Sequence, residues 1–339
     1  MPPRRAWNRY SDEKLLALRF RDLRLTIEGS WLEPLLDQVY EEMAARGLRF
    51  RPYVWLSEEW FSPLGHGGFA IPFYLAHPRL MRLERSQMLD VEGGTAKEAL
   101  RIMRHEAGHA VQHAYGLHRR KRWRELFGRS TQRYPEYYRP NPASKRHVQH
   151  LRLWYAQAHP DEDFAETFAV WLAPRSDWRR RYAGWPALKK LVYVDELMAE
   201  IGPRAPARAV RRLVDPLSRL STTLGEHYAE KRSRYQPDLP NIYDRDLRRL
   251  FSDRAEHRRR ESAAAFIRRH RREVRQLVAR WSGEYEFTLD HVLADMIVRC
   301  RELRLRAVGS ERQLLENFAV LLTVKTMHYL YTPRDWIAL

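Results

Sequence analysis

One five-residue stretch constrains this chain more than any other, because it places two histidines four residues apart with a glutamate beside the first: His105-Glu106-Ala107-Gly108-His109. In a helix, residues four apart lie on the same face. His105 and His109 are therefore spaced to bind one tetrahedral zinc ion, and Glu106 is placed to act as a general base. The stretch predicts the metal-binding helix of a zinc hydrolase.

The flanking sequence predicts that this stretch is helical. Thr95 is a residue type that caps helix N-termini, and Gly116 is a type that ends helices. Apolar residues recur between them at helical spacing: Leu100, Ile102, Met103, Ala107, Ala110, Val111 and Ala114. The alternative interpretation is a surface helix with two solvated histidines, so a third ligand has to decide between the two.

Two nearby candidates for the third ligand fail on spacing. Metzincins have a third histidine six residues after the second, with a glycine between them, but this chain has Tyr115 and Gln112 at those positions. His113 lies one further turn along the helix, too far to converge on the same ion. We expect His113 to be a supporting or surface residue, and His66 to be a loop residue.

A second helix is predicted to begin at Pro160, because proline fits the first helical position and disfavours helical geometry at His159. Asp161 and Asp163 suit the start of a helix, where acidic side chains interact favourably with the helix dipole. Four apolar residues form a stripe for burial: Phe164, Phe168, Trp171 and Leu172.

Glu162 and Glu166 share another face of that second helix, and two aligned carboxylates repel each other unless a cation is close. We expect Glu162 to be the third zinc ligand, and Glu166 to accept a hydrogen bond from the ring N–H of a ligating histidine. The reverse assignment, with Glu166 as the ligand, remains open on spacing alone.

The chain at this point resembles a known family. Residues 155–169, read with Phe69 to Leu75 and Val91 to Thr95, are similar to the putative zinc-binding metallopeptidases of bacteria, gluzincin-like proteins in which a downstream glutamate is a zinc ligand. The resemblance extends over roughly residues 20 to 200. Some members of the family carry a cysteine-rich zinc ribbon, which this chain cannot form because Cys300 is its one cysteine.

The Glu-x-x-Ala-Glu core, with a tyrosine seven residues before its first glutamate, is more distantly similar to anthrax lethal factor and the Pro-Pro endopeptidases. The resemblance implies that Glu162 is the zinc ligand, that Glu166 supports the site, and that Tyr155 stabilises the oxyanion. It implies peptide-bond hydrolysis with Glu106 and Tyr155 as catalytic residues. Residues 69–75 contain Pro72, which is typical of an edge strand, so we expect an extended peptide substrate to pair there.

Composition sets the outer limits of the fold. With 339 residues, 11 Trp, 17 Tyr and 12 Phe, the chain is long and apolar enough for two domains. We predict an α+β fold with a zincin-like metalloprotease domain over residues 1–205, containing a small mixed sheet and the His-Glu-x-x-His helix. A basic, mainly α-helical domain follows over residues 206–339. Within the first domain, residues 51–56 and 69–83 are predicted to be strands.

The formal net charge of +18 suggests an acidic partner for the Arg-rich helical tail, either a protein or a nucleic acid. An alternative function is therefore that of a basic interaction protein whose zinc site is structural or inactive. Glu106 favours the enzyme, since a structural site has no use for an acid beside its first histidine. The single cysteine and the lack of a long apolar run or leader predict a cytoplasmic protein without a membrane segment.

Overall fold

The computed structural model describes residues 6–135, 137–138, 140–206, 211–235, 243–331 and 337–338. Two compact units can be separated by their internal packing. The first comprises Met1–Ser86, Val91–Tyr228 and Ile337–Leu339, and the second comprises Gln87–Asp90 and Ala229–Trp336. The predicted domain boundary between residues 205 and 206 stays a prediction.

Helices account for most of the described chain. The first unit contains eight of them: α1 (Asp12–Leu16), α2 (Leu32–Ala45), α3 (Pro78–Met88), α4 (Ala96–Tyr115), α5 (Lys121–Phe127), α6 (Pro160–Leu172), α7 (Trp178–Arg181) and α8 (Ala187–Ile201). The last two residues of α3 belong to the second unit. The remaining five are α9 (Leu224–Tyr235), α10 (Asp244–Leu250), α11 (Ala263–Ser282), α12 (Glu286–Glu302) and α13 (Glu311–Tyr331).

The strands of the first unit form two small sheets. Strand β1 (Tyr53–Ser57) pairs in parallel with β2 (Gly68–Pro72), with Trp55 opposite Ala70. Strand β3 (Tyr137–Tyr138) pairs antiparallel with β4 (Ile337–Ala338). Mostly helical structure with a small sheet is consistent with the predicted α+β class.

The predicted strand over residues 69–83 is correct only as far as Pro72. A 3-10 turn over Phe73–Ala76 follows, and then helix α3 begins at Pro78. His77 is extended, with φ −154° and ψ 134°, as expected for a residue that precedes proline. The apolar residues Phe73 to Ala76 are buried, so their apolar character reflects the tertiary core and not a longer strand.

Helix α4 begins and ends as the sequence predicts. The hydroxyl of Thr95 accepts a hydrogen bond from the backbone N–H of Glu98 at 3.3 Å. Gly116 ends the helix in the left-handed region, with φ 63°, a conformation that a residue without Cβ adopts without strain. A pair of charge-assisted hydrogen bonds from Arg104 to Glu42, at 2.6 and 2.7 Å, joins α4 to α2.

Helix α6 also begins at the predicted residue. Pro160 occupies the first turn, and the His159 side chain caps the helix by accepting a hydrogen bond from the Asp161 N–H at 3.1 Å. Nearly the whole helix is buried, including its charged residues. It packs against α4 on one side and against α5 and α8 on others, so its carboxylates lie inside the unit.

The second unit is built around an apolar core contributed by α10 to α13, in which Phe266, Leu293 and Phe318 are almost fully buried. Several arginines on its surface pair with carboxylates. Arg269 contacts Glu261 and Glu311, and Arg271 contacts Asp290. These pairings fit a solvated helical surface, and they give no support to a nucleic-acid partner. Over the described residues, no helix is both long and apolar enough to cross a bilayer.

Candidate metal centre

The site forms where α4 and α6 approach each other closely. A Cβ atom placed on Gly108 would lie 3.0 Å from the Cα of Ala165 and 3.2 Å from the Cβ of Phe168. Those separations are tighter than nine in ten Cβ contacts, so a side chain on this residue would require the neighbouring helix to shift by a few tenths of an ångström. The glycine inside the His-Glu-x-x-His stretch therefore permits the helix contact that brings the glutamates of α6 to the histidines of α4.

Three side-chain atoms meet at this contact. The Nε2 atoms of His105 and His109 are 3.1 Å apart, and the Oε2 atom of Glu162 lies 3.0 Å from the first and 3.1 Å from the second. All three residues are buried, and they form the one group found among the described residues that could hold a metal ion. Ligands of a tetrahedral zinc ion with bonds of about 2.0–2.1 Å are separated by about 3.3 Å, so the triangle has nearly the required size.

The hydrogen-bonding chemistry of this triangle also fits a cation. The Nδ1 atom of His105 lies 3.0 Å from Oε1 of Glu166. Because an ionised carboxylate only accepts hydrogen bonds, Nδ1 carries a proton, and when the ring loses its other proton on metal binding the Nε2 lone pair is directed at the triangle. The Oε2 atom of Glu162 is an acceptor as well. Acceptors that converge in a buried place need a shared positive charge.

Glu166 is fixed by two hydrogen bonds. Besides the contact with His105, its Oε2 accepts the backbone N–H of Leu151 at 2.8 Å. Burial alone would raise the pKa of Glu166, but the hydrogen bond from His105, the nearby His150 and the Leu151 N–H together outweigh burial and lower the pKa below its ordinary value. The structure thus places Glu162, and not Glu166, against both Nε2 atoms, while Glu166 contacts the outer nitrogen of His105.

Glu106 is buried with an unsatisfied oxygen. Its Oε2 has no hydrogen-bond partner among the residues that the structure describes. Burial raises the pKa of Glu106, although the neighbouring His105 and His109 act in the opposite direction. A buried carboxylate oxygen without a partner is costly, and it is expected where a ligand or water completes the site.

Tyr155 lies beside the triangle, with its ring centroid 5.7 Å from that of His105. Within the described ranges, its hydroxyl forms no hydrogen bond. Burial and the nearby Glu162 raise its pKa well above the ordinary value, so the hydroxyl stays protonated and able to donate. The two residues before it, Leu153 and Trp154, have φ values of 59° and 53°. Such left-handed conformations are strained for residues with a Cβ and often occur at functional sites.

Tyr134 is a site residue that the sequence did not reveal. Its hydroxyl donates a hydrogen bond to Oε1 of Glu162 at 2.9 Å, leaving Oε2 directed at the histidines. Its ring stacks on His159 with the centroids 3.8 Å apart, although the side chain is 44% exposed. The surrounding basic, proline-containing segment has no periodicity, so no pattern could have assigned this role.

Asp161 and Asp163 have partners that helix-dipole reasoning did not predict. Both are buried. Asp161 accepts hydrogen bonds from Gln112 at 2.6 Å and Ser130 at 2.9 Å. Asp163 pairs with Lys190 of α8 at 2.5 Å. The two aspartates flank Glu162 and fix the start of α6 from opposite sides, which restricts the position of its carboxylate.

The other two histidines considered from the sequence lie outside the triangle. His113 is buried, and its ring is nearly parallel to that of His109 with centroids 6.3 Å apart. It therefore packs against a residue of the triangle, which agrees with the predicted supporting position and excludes the surface alternative. His66 lies in a loop with its Nδ1 atom 3.3 Å from the Tyr53 hydroxyl, in agreement with the prediction.

The expected exposed edge on β2 is a further correction. All five residues of the strand are buried. The backbone N–H of Ala70 donates to the carbonyl of Phe61 at 2.8 Å, on the side away from β1. A substrate strand therefore has no free edge at Ala70.

Comparison with known proteins finds a family model that is similar to the part of the chain that holds the site. The sequence model of the family described as "Putative zinc-binding metallo-peptidase" matches residues 90–184, which include the triangle, Glu106, Tyr134 and Tyr155. No curated protein and no solved structure matches the chain. The match is shorter than the resemblance over residues 20 to 200, and it supports a metallopeptidase at a general level. The resemblance predicted from the sequence, to the family described as putative zinc-binding metallo-peptidases, is thus found over residues 90–184.

Proposed function

We propose that this protein is a zinc-dependent peptidase of the gluzincin type. His105, His109 and Glu162 would hold the ion, and Glu106 would be the general base. The observation that carries the proposal is the buried triangle of two Nε2 atoms and one carboxylate oxygen, 3.0–3.1 Å apart, next to a glutamate with an unsatisfied oxygen. Three protein ligands leave a fourth tetrahedral position open, which is typical of catalytic zinc sites.

The roles of the chain's own residues follow from their positions. Bound zinc supplies Lewis-acid polarisation of the scissile carbonyl and lowers the pKa of water toward neutrality. Glu106 takes the proton of the attacking water on its unsatisfied oxygen and passes it to the leaving amine. Burial raises the pKa of Glu106, which favours acceptance of a proton from water.

Two further residues would act around the reacting carbonyl. The free hydroxyl of Tyr155 donates a hydrogen bond to the oxyanion that develops during attack. Glu166 does not touch the substrate. It keeps the proton of His105 on Nδ1, which leaves Nε2 free to bind metal.

The alternative is a basic interaction protein with a structural or inactive site. A structural zinc site has four protein ligands, whereas the triangle provides three. The buried, unpartnered oxygen of Glu106 would also reduce stability with no benefit in such a protein. Both observations favour the enzyme. A cytoplasmic location stays a prediction, which rests on Cys300 as the one cysteine.

Elemental analysis tests the ligand assignment. We expect about one zinc ion per chain in the parent protein, loss of zinc in Glu162→Ala, and weaker binding in Glu166→Ala. The opposite ranking of the two variants would assign the ligand role to Glu166. A parent protein that takes up no zinc after reconstitution would exclude the proposal.

Hydrolysis of a peptide library, followed by mass spectrometry, tests the general base. Glu106→Gln should retain zinc and lose cleavage. Glu41→Gln, at an exposed position of α2, is the matched control and should cleave like the parent. Cleavage by Glu106→Gln at the parent rate would show that another group takes the water proton.

A further inference from the structure

The segment Ile337–Ala338 forms a strand in the first unit although it is far from the site in sequence. It pairs antiparallel with β3, so that Ala338 lies opposite Tyr137 and Ile337 lies opposite Tyr138. This pairing shows that β3 presents backbone groups able to take an added strand. Antiparallel backbone pairing requires an extended partner, and it reads little of the partner's side chains.

Strand β3 lies beside the candidate metal centre. Tyr134, three residues before the strand, donates a hydrogen bond to Glu162. The hydroxyl of Tyr138 donates to the carbonyl of Leu153 at 2.9 Å, and its ring centroid is 6.4 Å from that of Tyr155. A chain that pairs with β3 is therefore bound next to residues that contact Glu162 and the tyrosine proposed to stabilise the oxyanion.

We propose that β3 is the edge on which an extended peptide substrate binds, by antiparallel backbone pairing, and that Ile337–Ala338 occupies this edge when no substrate is bound. The inference deepens the proposed function and rests on it. It also replaces the edge expected on β2, where Phe61 already pairs with Ala70. Because the ladder between β3 and β4 is two residues long, it provides few hydrogen bonds, and a longer peptide can displace it.

A reversible disulfide clamp tests the competition. In an antiparallel pair, facing residues have Cα atoms about 4.5–5.5 Å apart, within the range that a disulfide spans. We expect Tyr137→Cys/Ala338→Cys to close the edge when oxidised and to open it when reduced. The native Cys300 is buried, and the two single-cysteine variants control for the substitutions themselves.

The binding probe is a fluorescent synthetic peptide with the sequence of residues 332–339, measured by anisotropy. The double variant Ile337→Pro/Ala338→Pro frees the edge, because proline cannot donate a backbone hydrogen bond. Ala338→Ser preserves the backbone and is its matched control. We expect the peptide to bind the double-proline variant at least tenfold more tightly than the Ala338→Ser protein, and to bind the oxidised clamp least. Equal binding to all three proteins would overturn the inference.

Hydrolysis gives a second, independent readout. For a peptide that the parent protein cleaves, oxidation of the clamp should raise KM about tenfold or more with the zinc content unchanged, and reduction should restore KM. An unchanged KM in the oxidised clamp would overturn the inference while leaving the peptidase in place. A protein that binds the probe at β3 but cleaves no peptide would refute the proposed function and keep the docking edge.

Discussion

Gly108 of α4 and Ala165 of α6 approach so closely that a Cβ atom on the glycine would lie 3.0 Å from the Cα of the alanine. The neighbour is backbone, which cannot move aside as the end of a flexible side chain can. The proposed metal ligands lie close to this contact, with His109 next to Gly108 and Glu162 one turn before Ala165. The distance between the two helices thus sets the size of the triangle.

We therefore predict that Gly108→Ala weakens both the fold and the metal site. Overpacking costs about 1–3 kcal/mol, and the better helix propensity of alanine offsets about 1 kcal/mol of this. Denaturation in the presence of a chelator should show a net loss of free energy of unfolding. A competition titration should show at least tenfold weaker zinc binding. Lys97→Ala, at an exposed position of the same helix, should change neither quantity.

Tyr134→Phe should weaken metal binding through Glu162. The phenol hydroxyl holds the outer oxygen of that carboxylate at 2.9 Å, and loss of a hydrogen bond to a metal ligand typically costs about 10–100-fold in metal affinity. The stacking on His159 does not need the hydroxyl, so the fold should be preserved. Unchanged zinc affinity in a competition titration would mean that Tyr134 does not position Glu162.

Tyr155→Phe should lower kcat and leave zinc binding unchanged. Because its hydroxyl contacts no ligand of the triangle, zinc affinity should match that of the parent. The loss of an oxyanion donor corresponds to about 3 kcal/mol, or about 100-fold in kcat. Steady-state kinetics at saturating zinc would measure the loss of kcat. The control is Tyr182→Phe, because the Tyr182 hydroxyl contacts Gln149 and lies outside the triangle. An unchanged kcat would remove Tyr155 from the mechanism.

The parts of this structure that were predictable are those with local causes. The caps at Thr95 and Gly116 and the start of α6 at Pro160 depend on residues within a few positions of each helix end. The spacing of His105 and His109 follows from the period of one helix. For these features the sequence carries the same information as the structure.

Other parts depend on contacts between distant segments, which periodicity does not encode. The roles of Tyr134 and Lys190 arise only when the chain folds back onto α6. The apolar run of Phe73 to Ala76 is predicted to continue a strand, but it forms a buried 3-10 turn, and helix α3 begins after it at Pro78. The pairing of β3 with β4 joins residues about 200 positions apart, beyond any local rule.

Zinc binding should release protons at neutral pH. Without metal, burial would lower the pKa of His105, but its hydrogen bonds with Glu162 and Glu166 outweigh this and raise the pKa to about 10. The ring is then protonated at pH 7 and must lose a proton before Nε2 can bind metal. Calorimetric titrations with zinc in two buffers of different ionisation enthalpy should differ by the heat of at least one proton. Equal heats would show that the triangle is already deprotonated.

The pH dependence of stability should report the buried His113. Burial lowers its pKa from 6.5 to about 3, and its Nδ1 atom has no hydrogen-bond partner among the described residues. Below pH 6.5 the unfolded chain therefore binds a proton that the folded protein does not. The contribution to stability is complete above pH 6.5 and is lost as the pH falls toward 3, at roughly 1.4 kcal/mol per pH unit.

Replacing that imidazole with a ring that does not titrate should remove this loss. Between pH 6.5 and pH 4, the free energy of unfolding should decrease less for His113→Phe than for the parent, whatever the stability of the variant at pH 7. Both proteins should be measured by urea denaturation with a chelator present, since acid also releases metal from His105 and His109. His118→Phe is a useful comparison, because that ring packs edge-on to His113 with the centroids 6.4 Å apart. Parallel pH profiles for the parent and His113→Phe would mean that His113 becomes protonated in the folded protein, which requires the α4 face behind the triangle to open to water.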